Sequence, residues 1–84
     1  YEVIPAADGY LILAVGNDGQ FRRLCTILGL KGIGEDERFA PNKARVANRD
    51  EVRRLVSGKT LNWPKADLLR ACEENAVPAG AINT

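Results

Sequence analysis

The chain is 84 residues long, with 45% apolar and 27% charged side chains, and twelve Lys/Arg against eleven Asp/Glu leave a formal charge of +1. A chain of this size supports one modest core, burying roughly 60–65% of the surface it exposes when unfolded, and its composition is that of a folded domain. The balanced charge gives no electrostatic case for nucleic acid or an anionic membrane, no apolar run reaches the ~18–20 residues that span a bilayer, and the absence of His removes Ser-His-Asp, Cys-His and His-metal constellations together.

Residues 1–15 read as a β-hairpin. Tyr1-Glu2-Val3-Ile4 makes a short strand that Pro5 closes, and Asp8-Gly9 supplies the turn. The unbroken apolar run Tyr10-Leu11-Ile12-Leu13-Ala14-Val15 predicts a second strand covered on both faces. Asn17 followed by Gln20 has the form of a capping box. Phe21, Leu24, Cys25 and Leu28 then fall on one helical face, and Gly29 stops the helix.

Residues 30–40 read as a loop carrying Gly32, Gly34 and Glu35-Asp36-Glu37, anchored by Phe39. A second helix follows, with Asn48 and Glu51 as another cap-and-box pair, Val52, Leu55 and Val56 inward, and Gly58 as its end; Pro41 to Val46 adds a helical turn in front. The third helix starts near Pro64, turns Leu68, Leu69 and Cys72 inward, and stops before Val77-Pro78-Ala79-Gly80. Residues 81–84 read as the start of a further element. The layout is α+β, a β-hairpin or small antiparallel sheet followed by three helices. Two strands alone are marginal, so the helices cover the sheet or a third strand joins it. The 84 residues form a single small domain, and a chain that starts at Tyr1 without Met reads as a piece of a longer protein.

Few residues carry chemistry. Asn17-Asp18-Gly19-Gln20 stands where a buried strand meets a helix N-terminus, which serves either as a plain cap or as a seat for an anionic or carbonyl ligand. Arg45, Arg49 and Arg53 line one helical face, read as a solvated ridge rather than a phosphate grip. The acidic trio lacks the spacing of a calcium loop, so no metal site is expected. Cys25 and Cys72 read as buried thiols in a reducing compartment, not a disulfide or a zinc site. Trp63 reads as a plug above the third helix. No residue pairs with a plausible base or nucleophile, so the residues alone name no reaction.

Taken in order, the segments resemble one family. Ala7-Asp8-Gly9-Tyr10-Leu11-Ile12-Leu13-Ala14-Val15-Gly16-Asn17-Asp18, with Gln20-Phe21 following, is similar to the opening of the small domain of family III (CaiB/BaiF-type) CoA-transferases, a group that includes formyl-CoA transferase, carnitine CoA-transferase and α-methylacyl-CoA racemase. Asp36-Glu37-Arg38-Phe39 resembles the family's D-P-R-F. Asn42, Arg45, Asn48 and Arg49 follow its N…R…NR phrase, and Lys65-Ala66-Asp67 with Val77-Pro78-Ala79-Gly80 resembles its closing stretch. The chain departs from the pattern at Glu37 (usually Pro), Leu68 (Trp), Ala76 (Gly) and Ala81 (Pro), and Trp63 is not the family's Trp.

The resemblance implies a cytoplasmic two-domain enzyme, an interlocked homodimer, that moves CoA between dicarboxylic or short acyl carboxylic acids. The nucleophile would be an Asp that forms covalent intermediates in a large domain outside these residues. None of Asp8, Asp18, Asp36, Asp50 or Asp67 occupies that motif, so no catalytic residue is carried over and the 84 residues alone are expected to be inactive. The expected partners are the missing large domain, an acyl-CoA and a carboxylic acid. The coenzyme A thioester is a substrate of the parent enzyme, and no cofactor is expected on the fragment. Asn17, Asp18 and Gln20, with Pro78 and Gly80, are expected to face the cleft. An acyl-CoA racemase of the same family and a stand-alone nucleic-acid or protein-interaction module are the alternatives.

Overall fold

The computed structural model describes residues 2–82. Strands β1 (Glu2–Ala6), β2 (Gly9–Leu13) and β3 (Ala79–Ala81) form one antiparallel sheet in the order β1-β2-β3. Between β2 and β3 come helices α1 (Asp18–Leu28), α2 (Lys31–Gly34), α3 (Asn42–Ala47), α4 (Arg49–Thr60) and α5 (Lys65–Glu74). The α+β reading holds, and the third strand does join the hairpin. Tyr1, Asn83 and Thr84, which the sequence placed in strands or at the start of an element, lie outside the described residues.

Pro5 does not close β1. It pairs with Tyr10, and the strand runs on to Ala6 opposite Gly9. β1 is an edge strand, where a residue without an N–H leaves no ladder bond unmade. Nor is β2 covered on both faces. Ile4, Ala6, Leu11 and Leu13 are buried beneath Leu24 and Leu28 of α1, Val56 of α4, and Leu68 and Cys72 of α5, whereas Val3 and Tyr10 on the other face are exposed. An apolar run has no polar residues to mark which side is left open, so its composition alone could not assign the faces.

Helix α1 is as expected. Phe21, Leu24, Cys25 and Leu28 are buried, and Gly29 takes the left-handed φ of 74° that lets Leu30 N–H return to the Cys25 carbonyl at 2.7 Å. The 30–40 segment is not all loop, because α2 forms within it. Phe39 anchors the segment as expected, packed with Phe21 and Cys25. A Cβ on Gly34 would lie 3.0 Å from Cys25 Cβ, a tight contact that glycine avoids where this turn approaches α1. The described residues thus hold five helices, two of them short: α3 is the helical turn expected ahead of the second helix, and α2 is additional to what was expected.

Two boundary expectations fail at α4. Asn48 makes no cap bond: it stands between α3 and α4, and its amide donates to the Arg38 and Ala44 carbonyls, each at 3.0 Å. Glu51, free of any box, pairs with Arg54. Gly58 does not end the helix, which continues to Thr60. That threonine is fully buried and donates to the Ser57 carbonyl, and such packing outweighs the ~1 kcal/mol helical cost of glycine. Trp63 follows as a plug against the core, its carbonyl accepting from Ala7 N–H at 2.9 Å. Asp8 in the hairpin turn accepts from Lys65 N–H at 2.7 Å, capping α5 from a distant part of the chain. At the other end of α5, Ala76 adopts φ 55° while Val77 N–H bonds the Cys72 carbonyl at 2.8 Å.

Candidate functional site

The sheet decides which of the candidate residues meet. β2 and β3 pair Leu13 with Ala79, and one residue further Ala14 N–H donates to the Pro78 carbonyl at 2.9 Å. The segment leaving β2 toward Asn17 and the segment entering β3 at Pro78 are thus held side by side. Arg23 of α1 tightens the junction by reaching the Ala76 carbonyl at 3.4 Å. Gly80 is set back from this end: it lies within β3, opposite Ile12.

The polar side chains at the start of α1 are all committed. Asn17 is extended and its Oδ1 accepts from Gln20 N–H at 2.8 Å. Gln20 reaches back one residue further than an ordinary capping box, its Oε1 accepting from Gly16 N–H at 2.6 Å. Asp18 receives Arg45 Nη2 at 2.9 Å. That arginine is buried. Its Nη1 donates to the Phe39 and Ala40 carbonyls, and its guanidinium stacks 4.4 Å from the Phe21 ring centroid.

The expected solvated arginine ridge is corrected at Arg45, which is an internal strut. Arg49 and Arg53 are exposed, as expected of such a ridge, and share the Glu2 carboxylate across α4 and β1 at 2.8 and 3.1 Å. Spacing along a helix could not show that Glu2 and Asp18, remote in sequence, supply the partners.

Beyond those side-chain contacts, the first turn also offers its backbone. Among the described residues, the Asp18 and Gly19 N–H groups have no protein acceptor. A Cβ on Gly19 would stand 3.5 Å from Arg23 Nη1 and 3.9 Å from Arg22 Nη2, so both guanidiniums border the space glycine leaves open. The same two arginines line a shallow depression of about 240 Å³ with Gly19, Thr26, Gly34 and Glu35. Amide donors, the positive end of a helix and two guanidiniums suit a carbonyl oxygen or an anionic group. The sequence reading singled out Asn17, Asp18 and Gln20 with Pro78 and Gly80, named Gly19 only as part of the junction and Arg45 only as part of the ridge, and missed Arg22 and Arg23. Adjacent arginines one turn behind a helix-opening glycine were the available signal.

Among the described residues, neither cysteine thiol is activated and no metal cluster accompanies this arrangement. Burial raises the Cys25 thiol to about 11, against a smaller opposing pull from Arg45, and burial likewise raises Cys72, so neither thiol is an activated nucleophile. The two cysteines are free. Among the described residues, no group of His, Cys, Asp or Glu could hold a metal ion, and no helix is long and apolar enough to cross a membrane.

Comparison with known proteins shows the family of the chain. The family model described as CoA-transferase family III matches residues 1–84. A succinate–glutarate CoA-transferase of Agrobacterium fabrum is 69% identical over 84 residues, which are all of this chain and 21% of that protein. A succinyl-CoA:glutarate CoA-transferase of Mus musculus is 33% identical, again across the whole chain and 19% of its own length. The crystal structure of a CaiB/BaiF family protein from Brucella suis superposes with a TM-score of 0.97 at 49% identity, covering 100% of this chain and 22% of that one. The chain thus spans about a fifth of the length of the relatives it matches.

Proposed function

Since the chain belongs to CoA-transferase family III, we propose that it forms the small-domain wall of an acyl-CoA cleft in an enzyme that transfers CoA between carboxylic acids. Dicarboxylic or short acyl acids are the substrates in this reading, which draws on the relatives named for succinate and glutarate. Gly16 to Gln20 and Pro78 face the cleft with their backbone, and Gly80 flanks them from within β3. The Gly19 amide with Arg22 and Arg23 meets a carbonyl or anionic part of the thioester substrate. The Asp that carries the covalent intermediate lies in the larger remainder of the enzyme, so the 84 residues position substrate and do no chemistry themselves. The interlocked homodimer and the cytoplasmic setting belong to the same proposal.

One observation carries the reading: pairing of β2 with β3 sets the start of α1 beside Pro78, joining two segments that are far apart in sequence. The relatives named above are transferases, which favours transfer over racemisation. The reading as a nucleic-acid module is disfavoured, because Arg45 is buried against Asp18 and so drops out of the exposed arginine ridge on which that reading rests. The test is an amide-shift titration of the 84-residue chain with free CoA and with succinyl-CoA. Shifts confined to residues 16–23 and 76–80 are expected. Shifts elsewhere, or none at millimolar ligand, would retire the cleft wall and leave these residues a scaffold.

A further inference from the structure

A second concavity lies on the far side of α1, between β1, the end of β2, α3 and α4, and shares no lining residue with the Gly19 depression. Its volume is about 390 Å³, within the range of roughly 300–1,000 Å³ typical of small-molecule sites. Ile4, Leu13, Val52 and Val56 give it an apolar floor. Val46 stands at its lip, 69% exposed among the described residues.

The rim is charged. Arg49 Nε donates to Glu2 Oε1 at 2.8 Å and Arg53 Nη1 donates to Glu2 Oε2 at 3.1 Å. Arg45 also lines the groove but is already matched by Asp18. Two guanidiniums facing one carboxylate leave the rim net positive. Each guanidinium also keeps N–H groups that have no acceptor among the described residues.

We infer that this groove binds an anion with an apolar body, of the class of medium-chain aliphatic carboxylates. The carboxylate sits at Arg49 and Arg53, and the chain lies along Ile4, Val52 and Val56. The grip on Glu2 shows that these two arginines are already set to receive a carboxylate from this side, and guanidinium geometry suits that group. Both halves of the ligand are needed. Exposed ion pairs alone contribute little, and a short dianion offers the floor no apolar surface to cover.

The experiment is an NMR titration of the 84-residue chain with butanoate, hexanoate and octanoate. Shifts are expected at Leu13, Val46, Val52 and Val56, with affinity rising about two- to fourfold per added methylene. Hexanol and succinate are expected to leave those signals in place at the same concentrations. Glu2→Gln removes the competing carboxylate and is expected to tighten hexanoate binding about two- to fivefold, and Arg53→Gln to weaken it by a similar factor. The inference is overturned if hexanoate moves nothing, if its shifts gather on Val3 and Tyr10 instead, if hexanol binds as well as hexanoate, or if both variants keep the original affinity. Because the Gly19 depression has different residues, failure here leaves the cleft-wall reading untouched.

Discussion

The two faces of the sheet are built from nearly the same kinds of side chain and have opposite fates. On the inner face, Ile4, Ala6, Leu11 and Leu13 disappear beneath α1, α4 and α5. On the outer face, Val3 and Tyr10 remain 41% and 56% exposed, although they alternate with the buried residues along the same strands. The comparison teaches that in a strand without polar residues, period-2 alternation survives in burial even where it is invisible in composition. What separates the faces is the helical cover, and that cover is fastened by polar contacts as well as by packing: Arg45 ties α3 to α1 and to the Phe39 turn, and Asp8 caps α5 from the hairpin.

The sharpest way to break the comparison is at neighbouring positions on β2. Leu11→Ala opens a cavity in a fully buried site and is expected to cost about 3 kcal/mol in urea denaturation followed by Trp63 fluorescence. Arg45→Gln tests the fastening. It leaves the Phe39 and Ala40 carbonyls without their donor and Asp18 without its partner, a loss of about 2 kcal/mol by the same assay.

Ala76 gives an effect of opposite sign. It sits at φ 55°, in the turn that brings Val77 into the core, and Ala76→Gly is expected to raise stability by about 0.5–1 kcal/mol by relieving the left-handed backbone. The smallest effect belongs to the open face: Tyr10→Thr is expected to stay within about 0.5 kcal/mol of the parent. A Tyr10 cost matching that of Leu11 would mean that the outer face is not open, and the contrast would fall.

Ala76 and Gly29 also show where sequence reading succeeds and where it stops. Both follow a helix, both have positive φ, and behind each a backbone N–H bonds a carbonyl five residues earlier. Gly29 announces itself, because glycine adopts that conformation freely. Ala76 does not, and only the resemblance marked it as a place where glycine was expected. There the buried Val77 and the Arg23 contact to the Ala76 carbonyl hold the turn despite the side chain.

By itself the sequence determined the hairpin turn, the cap and stripe of α1, the inward residues of α5, the anchoring of Phe39, the buried thiols and the family. Those features depend on spacing between near neighbours or on order along the chain, both of which are written in the letters. The tertiary structure alone decided that one sheet face stays open and that β3 closes onto β2. It also decided that Asn48 serves the Arg38 turn rather than a helix cap, and that Arg45 is held by Asp18 and Arg49 and Arg53 by Glu2. Each of those outcomes is a contact between residues distant in sequence. Such contacts exist only once the core has brought the elements together, so no local pattern could specify them.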